Sequence, residues 1–107
     1  MTIAYLIIEA RISDPKKFLD YAAAASALVA RMGGRYVVMR GEQQWLEGPT
    51  DAARTVVSEW PDRETALAFW NSEEYARIKP LRAGTGDFRV RLVDAAAPAE
   101  PTTGTQA

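Results

Sequence analysis

The feature that most constrains the fold is a change of hydrophobic period near the start of the chain. Over residues 3–12 the even positions Ala4, Leu6, Ile8, Ala10 and Ile12 are all apolar, whereas the odd positions Tyr5, Ile7, Glu9 and Arg11 are mixed. Such alternation marks a strand in a sheet with one dry face and one amphipathic face. Ser13-Asp14-Pro15 then reads as a helix start. Asp14 can accept from free backbone N–H groups, and Pro15 suits the first helical position. From there to about Met32, the residues Phe18, Ala22, Ala25, Val29 and Met32 make an apolar stripe at helical spacing. Alanines at 22–25 let this helix sit close to a sheet, and Gly33-Gly34 ends it.

The remainder alternates in the same way. A second strand is expected over Arg35–Arg40, a turn at Gly41-Glu42, a short third strand over Gln43–Glu47, and a loop at Gly48-Pro49-Thr50-Asp51. A fourth strand, Arg54–Trp60, is closed by Pro61, and Asp62-Arg63-Glu64 opens a helix with Ala66, Phe69 and Trp70 on one face. Ser72 caps a further helical turn, Glu73–Ile78, which Pro80 ends; Glu73 and Glu74 reflect the preference of acids for a helix N-terminus. The last strand is Asp87–Val93, where Phe88, Val90 and Leu92 alternate with Arg89 and Arg91. Arg89 and Arg91 are expected to pair across strands with the Glu9 and Arg11 region. Residues 95–107 lack large apolar groups and are expected to be a disordered tail behind a domain over residues 1–94. At 107 residues the chain is one domain with one core. The order predicts an α+β, ferredoxin-like architecture: an antiparallel sheet with two main helices on one face. Its other face, with Tyr5, Ile7 and the valines of the fourth strand, is half-apolar and suits homodimerisation.

Two absences bound the chemistry. Without Cys there is no disulfide, thiolate nucleophile or Cys-zinc site; without His there is no imidazole base and no His-ligated haem or zinc. No acidic cluster has the spacing of a calcium loop, so no metal and no other cofactor is expected. A net charge of −1 argues against nucleic acid as a partner. The apolar runs are far below a membrane span of roughly 20 residues, and no basic leader precedes the first strand, so a cytoplasmic location is expected.

Several short segments recur together: Ser13-Asp14-Pro15 with Tyr21, Gly33-Gly34-Arg35-Tyr36, Arg40-Gly41, Leu46-Glu47-Gly48, and Glu59-Trp60-Pro61-Asp62-Arg63-Glu64-Thr65-Ala66. They are followed by Phe69-Trp70-Asn71-Ser72-Glu73-Glu74-Tyr75 and Leu81-Arg82. In that order, over roughly residues 3–94, they resemble the domain of unknown function 1330 family of the dimeric α/β-barrel superfamily. Trp60 stands where that family often has Phe, and Asn71-Ser72-Glu73 where Asp-Ser-Pro is common. The resemblance implies a ferredoxin-like protomer, a barrel-forming homodimer and a pocket between sheet and helices. Related branches include cofactor-free monooxygenases, muconolactone-type isomerases, haem-degrading enzymes and haem peroxidases. The last two generally use a histidine ligand that this chain lacks.

Glu59 is the first candidate for catalysis. Facing the helices it would be a carboxylate in apolar surroundings, with a raised pKa suited to proton transfer; facing the other way it is an exposed or ion-paired strand residue. Strand parity leaves open whether Glu59 or Trp60 points inward. Arg82 can clamp a carboxylate or enolate bidentately, or form a structural ion pair with Glu59 or a helix carboxylate. Tyr75 and Tyr21 are candidates to orient a substrate, the alternative being rings at the core edge with satisfied hydroxyls. Arg40 is a further anion-binding candidate, Asp14 is assigned to capping, and Trp45, Trp60 and Trp70 to core or dimer packing. The expectation is a small homodimer with a pocket for a small organic acid or aromatic compound. It would act as a metal- and haem-independent isomerase or cofactor-free monooxygenase. The alternatives are a non-catalytic ligand-binding or accessory protein using the same pocket, and a purely structural dimer.

Overall fold

The first helix starts where its sequence dictates. The Asp14 carboxylate accepts from the Lys17 backbone N–H at 3.0 Å and Pro15 occupies the first turn. The same logic places the later helices: Asp62 accepts from the Thr65 N–H, and Ser72 from the Tyr75 N–H. A computed structural model describes residues 2–97 of the chain. In chain order the elements are β1 (Ala4–Ile12), α1 (Pro15–Arg31), β2 (Arg35–Met39), β3 (Arg54–Trp60), α2 (Arg63–Trp70) and α3 (Glu73–Ile78). A 3₁₀ turn over Lys79–Arg82 and β4 (Gly86–Asp94) complete the order. The strands form one antiparallel sheet in the order β2-β3-β1-β4. This is the expected ferredoxin-like α+β arrangement.

One strand is missing from the expected set. Residues 41–53 form no strand but an irregular connection from β2 to β3. The physical reason lies in its composition: its two large apolar residues, Trp45 and Leu46, are adjacent and would project to opposite faces of a strand, leaving neither face dry. They are instead 48% and 87% exposed, so of the two roles expected of Trp45, core or dimer packing, the core role is excluded. The connection is fastened by side chains: Gln43 donates to the Ala53 carbonyl, Arg54 to the Gly41 carbonyl, and Asp51 pairs with Arg11.

Packing follows strand parity. Ala4, Leu6 and Ala10 of β1 and Val56, Ser58 and Trp60 of β3 are buried beneath the helices. The core joins Leu6 and Trp60 to Ala25, Leu28 and Val29 of α1, Ala66 and Phe69 of α2, and Tyr75 of α3. The buried residues of α1 are Tyr21, Ala25, Leu28 and Val29, while Phe18 and Met32 of the expected stripe pack at the margin. Trp60 donates its indole N–H to Ser58 at 2.8 Å, and its ring lies so near the chain at Gly34 that a Cβ there would sit 2.7 Å from it. Among the described residues no buried side-chain polar atom lacks a partner.

The opposite face of the sheet carries no helix. Tyr5, Ile7, Val38 and Val57 lie on it with a set of cross-strand ion pairs. Glu9 meets both Arg89 and Arg91, as expected, while Arg11 pairs with Asp51. Beyond β4, the Ala95 N–H bonds the Ile3 carbonyl at 2.8 Å; most of the expected disordered tail, from residue 98, lies outside the described residues. Among the described residues no helix is long and apolar enough to cross a membrane.

Candidate functional site

Beneath the first half of α1, where β1 finishes and β4 begins, the two layers part to enclose a cavity of about 430 Å³. That volume lies in the range of small-molecule sites. Its walls are apolar: Ile8 and Ala10 form the floor, Phe18 and Ala22 the roof, Phe88 one flank and Met39 the other. The small Ala22 and Ala25 on α1 leave the space open. The polar residues of its lining are Tyr21, Tyr36, Ser26, Arg40 and Arg82, with no carboxylate among them.

Tyr21 and Tyr75 form the best-defined polar feature. Their hydroxyl oxygens lie 2.7 Å apart in the buried interior. Ser72 fixes Tyr75 by capping α3, accepting from the Tyr75 N–H at 3.1 Å while donating to the Phe69 carbonyl at 2.8 Å. Phe69, Trp70 and Tyr21 surround the Tyr75 ring, with centroids 4.8, 5.1 and 6.4 Å away. Tyr75 therefore stands behind the cavity wall and reaches it through the Tyr21 hydroxyl. Burial, reinforced by Tyr75, pushes the Tyr21 phenol well above its ordinary value, so it stays protonated as a donor. Burial likewise raises Tyr36, with Ser26 acting in the opposite direction.

Arg82 is held from its backbone. Its carbonyl accepts from both the N–H and the hydroxyl of fully buried Thr85, whose own carbonyl accepts from the Ser13 and Asp14 N–H groups at the start of α1. Lys17 fastens the same connection through the Ala83 carbonyl at 2.9 Å. The Arg82 guanidinium carbon lies 4.6 Å from the Phe88 ring centroid and 5.6 Å from that of Tyr21, and Phe18 stacks on Phe88 at 5.8 Å. Arg40 sits across the cavity at the end of β2. It adopts φ 52°, in the left-handed region uncommon for a residue with a side chain, while its N–H bonds the Thr55 carbonyl at 2.8 Å.

Glu59 does not join this group. The pairing register sets it opposite Tyr5 and Arg35, on the helix-free face, while its neighbour Trp60 takes the inward position. There its carboxylate accepts from the Tyr5 hydroxyl at 3.3 Å and from Arg35 Nε at 2.9 Å. The expected meeting of Glu59 with Arg82 in one hollow is thus corrected by the parity of β3. The structure brings together Tyr21, Arg82 and Arg40 around the cavity, with Tyr75 behind, and sets Glu59 on the other side of the sheet. Phe88 and Tyr36 were not singled out by the sequence. The Phe88-Val90-Leu92 alternation carried the signal for the first, and pairing of Tyr36 with buried Ser58 explains the second. Among the described residues no cluster of acids has the makings of a metal site.

The sequence model of the family described as "Domain of unknown function (DUF1330)" matches residues 3–96. No curated protein matches the chain in sequence. Among solved structures, the RPA0582 protein of unknown function from Rhodopseudomonas palustris superposes with a TM-score of 0.73 at 16% identity, over 91% of this chain and 85% of that one. SnoaB, a cofactor-independent oxygenase from Streptomyces nogalater, superposes with a TM-score of 0.69 at 14% identity, over 94% of this chain and 99% of that one. At such identities these likenesses establish the shared fold. Because the family match spans nearly the whole described chain, the protein belongs to the DUF1330 family.

Proposed function

We propose that the cavity takes a small organic acid or aromatic compound, and that the protein works in the cytoplasm as a homodimer closed across its helix-free sheet face. The single observation that carries this reading is a 430 Å³ apolar hollow that ends on a protonated phenol backed by a second one. The reaction class that suits it best is oxygenation of an electron-rich substrate without metal, haem or another cofactor. In overall terms, R₂CH₂ + O₂ gives R₂C=O + H₂O: the substrate carbon supplies all the electrons, one oxygen atom enters the product and the other leaves as water. The substrate must first lose a C–H proton to water, and the charge then develops on a conjugated oxygen. Tyr21 donates a hydrogen bond to that oxygen and Tyr75 supports Tyr21 from behind. The likeness in fold to a cofactor-independent oxygenase supports this class. Glu59 serves the dimer face instead, where its contacts with Tyr5 and Arg35 keep its charge paired when a second sheet covers it.

The absence of a carboxylate or imidazole from the cavity lining favours a second reading, a non-catalytic binder using the same site. Oxygen-electrode measurements with an aryl ketone carrying an acidic CH₂ group separate the two. Uptake matched by ketone product, and reduced in Tyr21→Phe, supports the oxygenase; binding without uptake leaves the binder. In either case Ala22→Phe fills the hollow and should abolish binding of 2-naphthol, measured by calorimetry. Unchanged affinity in that variant would remove the cavity from consideration, and a sedimenting monomer at micromolar concentration would remove the dimer.

A further inference from the structure

We infer that the ligand of this cavity is a planar aromatic compound bearing a permanent anionic oxygen group, and that Arg82 selects it. The inference rests on the cavity reading above and adds the charge and shape of what enters. Its first ground is an imbalance of partners. Arg11, Arg31, Arg35, Arg63, Arg77, Arg89 and Arg91 all pair with carboxylates, and Arg54 donates to the Gly41 carbonyl. Among the described residues, Arg40 and Arg82 are the two arginines whose guanidinium groups meet no carboxylate or carbonyl, and both residues line the same hollow. That hollow contains no acid, so its formal charge is wholly positive before a ligand arrives.

The second ground is the difference between the two cations. Arg82 is half-buried, its backbone locked through Thr85 to the start of α1, and its guanidinium lies against the rings of Phe88 and Tyr21. Ring contacts hold the guanidinium without consuming its in-plane N–H donors, which stay available for a carboxylate or phenolate in fork geometry. Arg40 is exposed, at the cavity mouth on the β2 side. Because β2 and β4 are the two edges of the sheet, Arg40 after β2 and Arg82 over Phe88 of β4 approach from opposite flanks. Arg82 therefore fixes the anion, and Arg40 adds positive potential where the ligand enters. The third ground is the aromatic lining: Phe18 and Phe88, with ring planes 15° apart, line the hollow together with Tyr21 and Tyr36, and aromatic rings favour an aromatic guest.

The test compares 2-naphthoate with its neutral counterpart 2-naphthalenemethanol by calorimetry on the full chain. Wild type should bind the carboxylate at least about tenfold more tightly, the margin expected of hydrogen bonds to a charged group. Arg82→Met, which keeps apolar contact with Phe88 and Tyr21, should erase that preference while leaving the alcohol's affinity unchanged. Arg82→Lys should restore part of it. Arg40→Met should retain the preference but slow association and flatten its salt dependence. Equal binding of both probes by wild type overturns the inference while leaving the cavity reading intact, and binding of neither overturns both. Loss of the preference in Arg40→Met rather than Arg82→Met overturns the assignment to Arg82.

Discussion

The buried phenol pair offers a double-mutant cycle whose two single variants should differ. In Tyr21→Phe, the Tyr75 hydroxyl loses its partner at a residue only 2% exposed, and it does not border the cavity. A buried polar group left unsatisfied costs about 1–3 kcal/mol. In Tyr75→Phe, the orphaned hydroxyl is that of Tyr21, which lines the cavity and can take a water there. The loss is then closer to that of an ordinary hydrogen bond, about 0.5–1.5 kcal/mol. Replacing both tyrosines removes both hydroxyls and orphans neither, so the double variant should be about as stable as Tyr75→Phe. The cycle should return a coupling equal in size to the loss in Tyr21→Phe, about 1–3 kcal/mol, well outside the roughly 0.3–0.5 kcal/mol within which independent sites add. Urea unfolding at one fixed protein concentration measures it, as shifts in midpoint at constant slope, which also holds any dimer contribution constant. Strict additivity, or equal losses in the two single variants, would refute both the bond and the asymmetry of its surroundings.

Three further outcomes follow from local geometry. Gly34→Ala should destabilise by about 1–3 kcal/mol through overpacking, because its Cβ would lie 2.7 Å from the buried Trp60 ring; thermal unfolding reads it, and a neutral result would show that the ring can move. Hydrogen bonds from the Thr65 hydroxyl and N–H hold the Asp62 carboxyl below its ordinary range, so below that range the unfolded state binds more protons and stability falls with pH. Asp62→Asn keeps an N-cap residue but should show a shallower loss in acid, measured by urea midpoint against pH. Tyr21 works in the opposite direction: its raised pKa means the folded state keeps a proton the unfolded chain releases near pH 10, so stability falls as pH rises above about 10. Its phenolate absorbance should appear only together with loss of the fold, and Tyr21→Phe should reduce the amplitude of that coincident rise, the remainder coming from Tyr36.

What the sequence disclosed was what short-range physics encodes. Asp14-Pro15, Asp62 and Ser72 cap their helices as their side chains dictate, and the alternation of β1 and β4 predicts which residues lie beneath the helices. The strand expected at Gln43–Glu47 does not form, because Trp45 and Leu46 are adjacent and leave neither face of a strand dry. Parity in β3 was harder. Val56-Val57 and Glu59-Trp60 offer an apolar residue to either face, and a shift of one residue exchanges the two sides of the sheet. The choice is made at long range, by the pairing of Tyr5 and Arg35 with Glu59 and by Gly34, whose missing side chain leaves room for the Trp60 ring.

That one choice of parity divides the chemistry of the whole sheet. Had Glu59 faced the helices, a carboxylate would have had to share the layer's interior with Tyr21 and Arg82, and the nearest guanidinium would have been drawn to it. With Trp60 inward, every carboxylate that β1 and β3 carry lies on the helix-free face, where Arg35, Arg89 and Arg91 neutralise Glu59 and Glu9. The cavity side keeps two phenols in a closed hydrogen bond and two guanidinium groups without a counter-charge. A site so arranged holds its protons tightly and has no acid of its own to satisfy its arginines. An anion that pairs with these two groups on the proposed reading is therefore one the ligand brings.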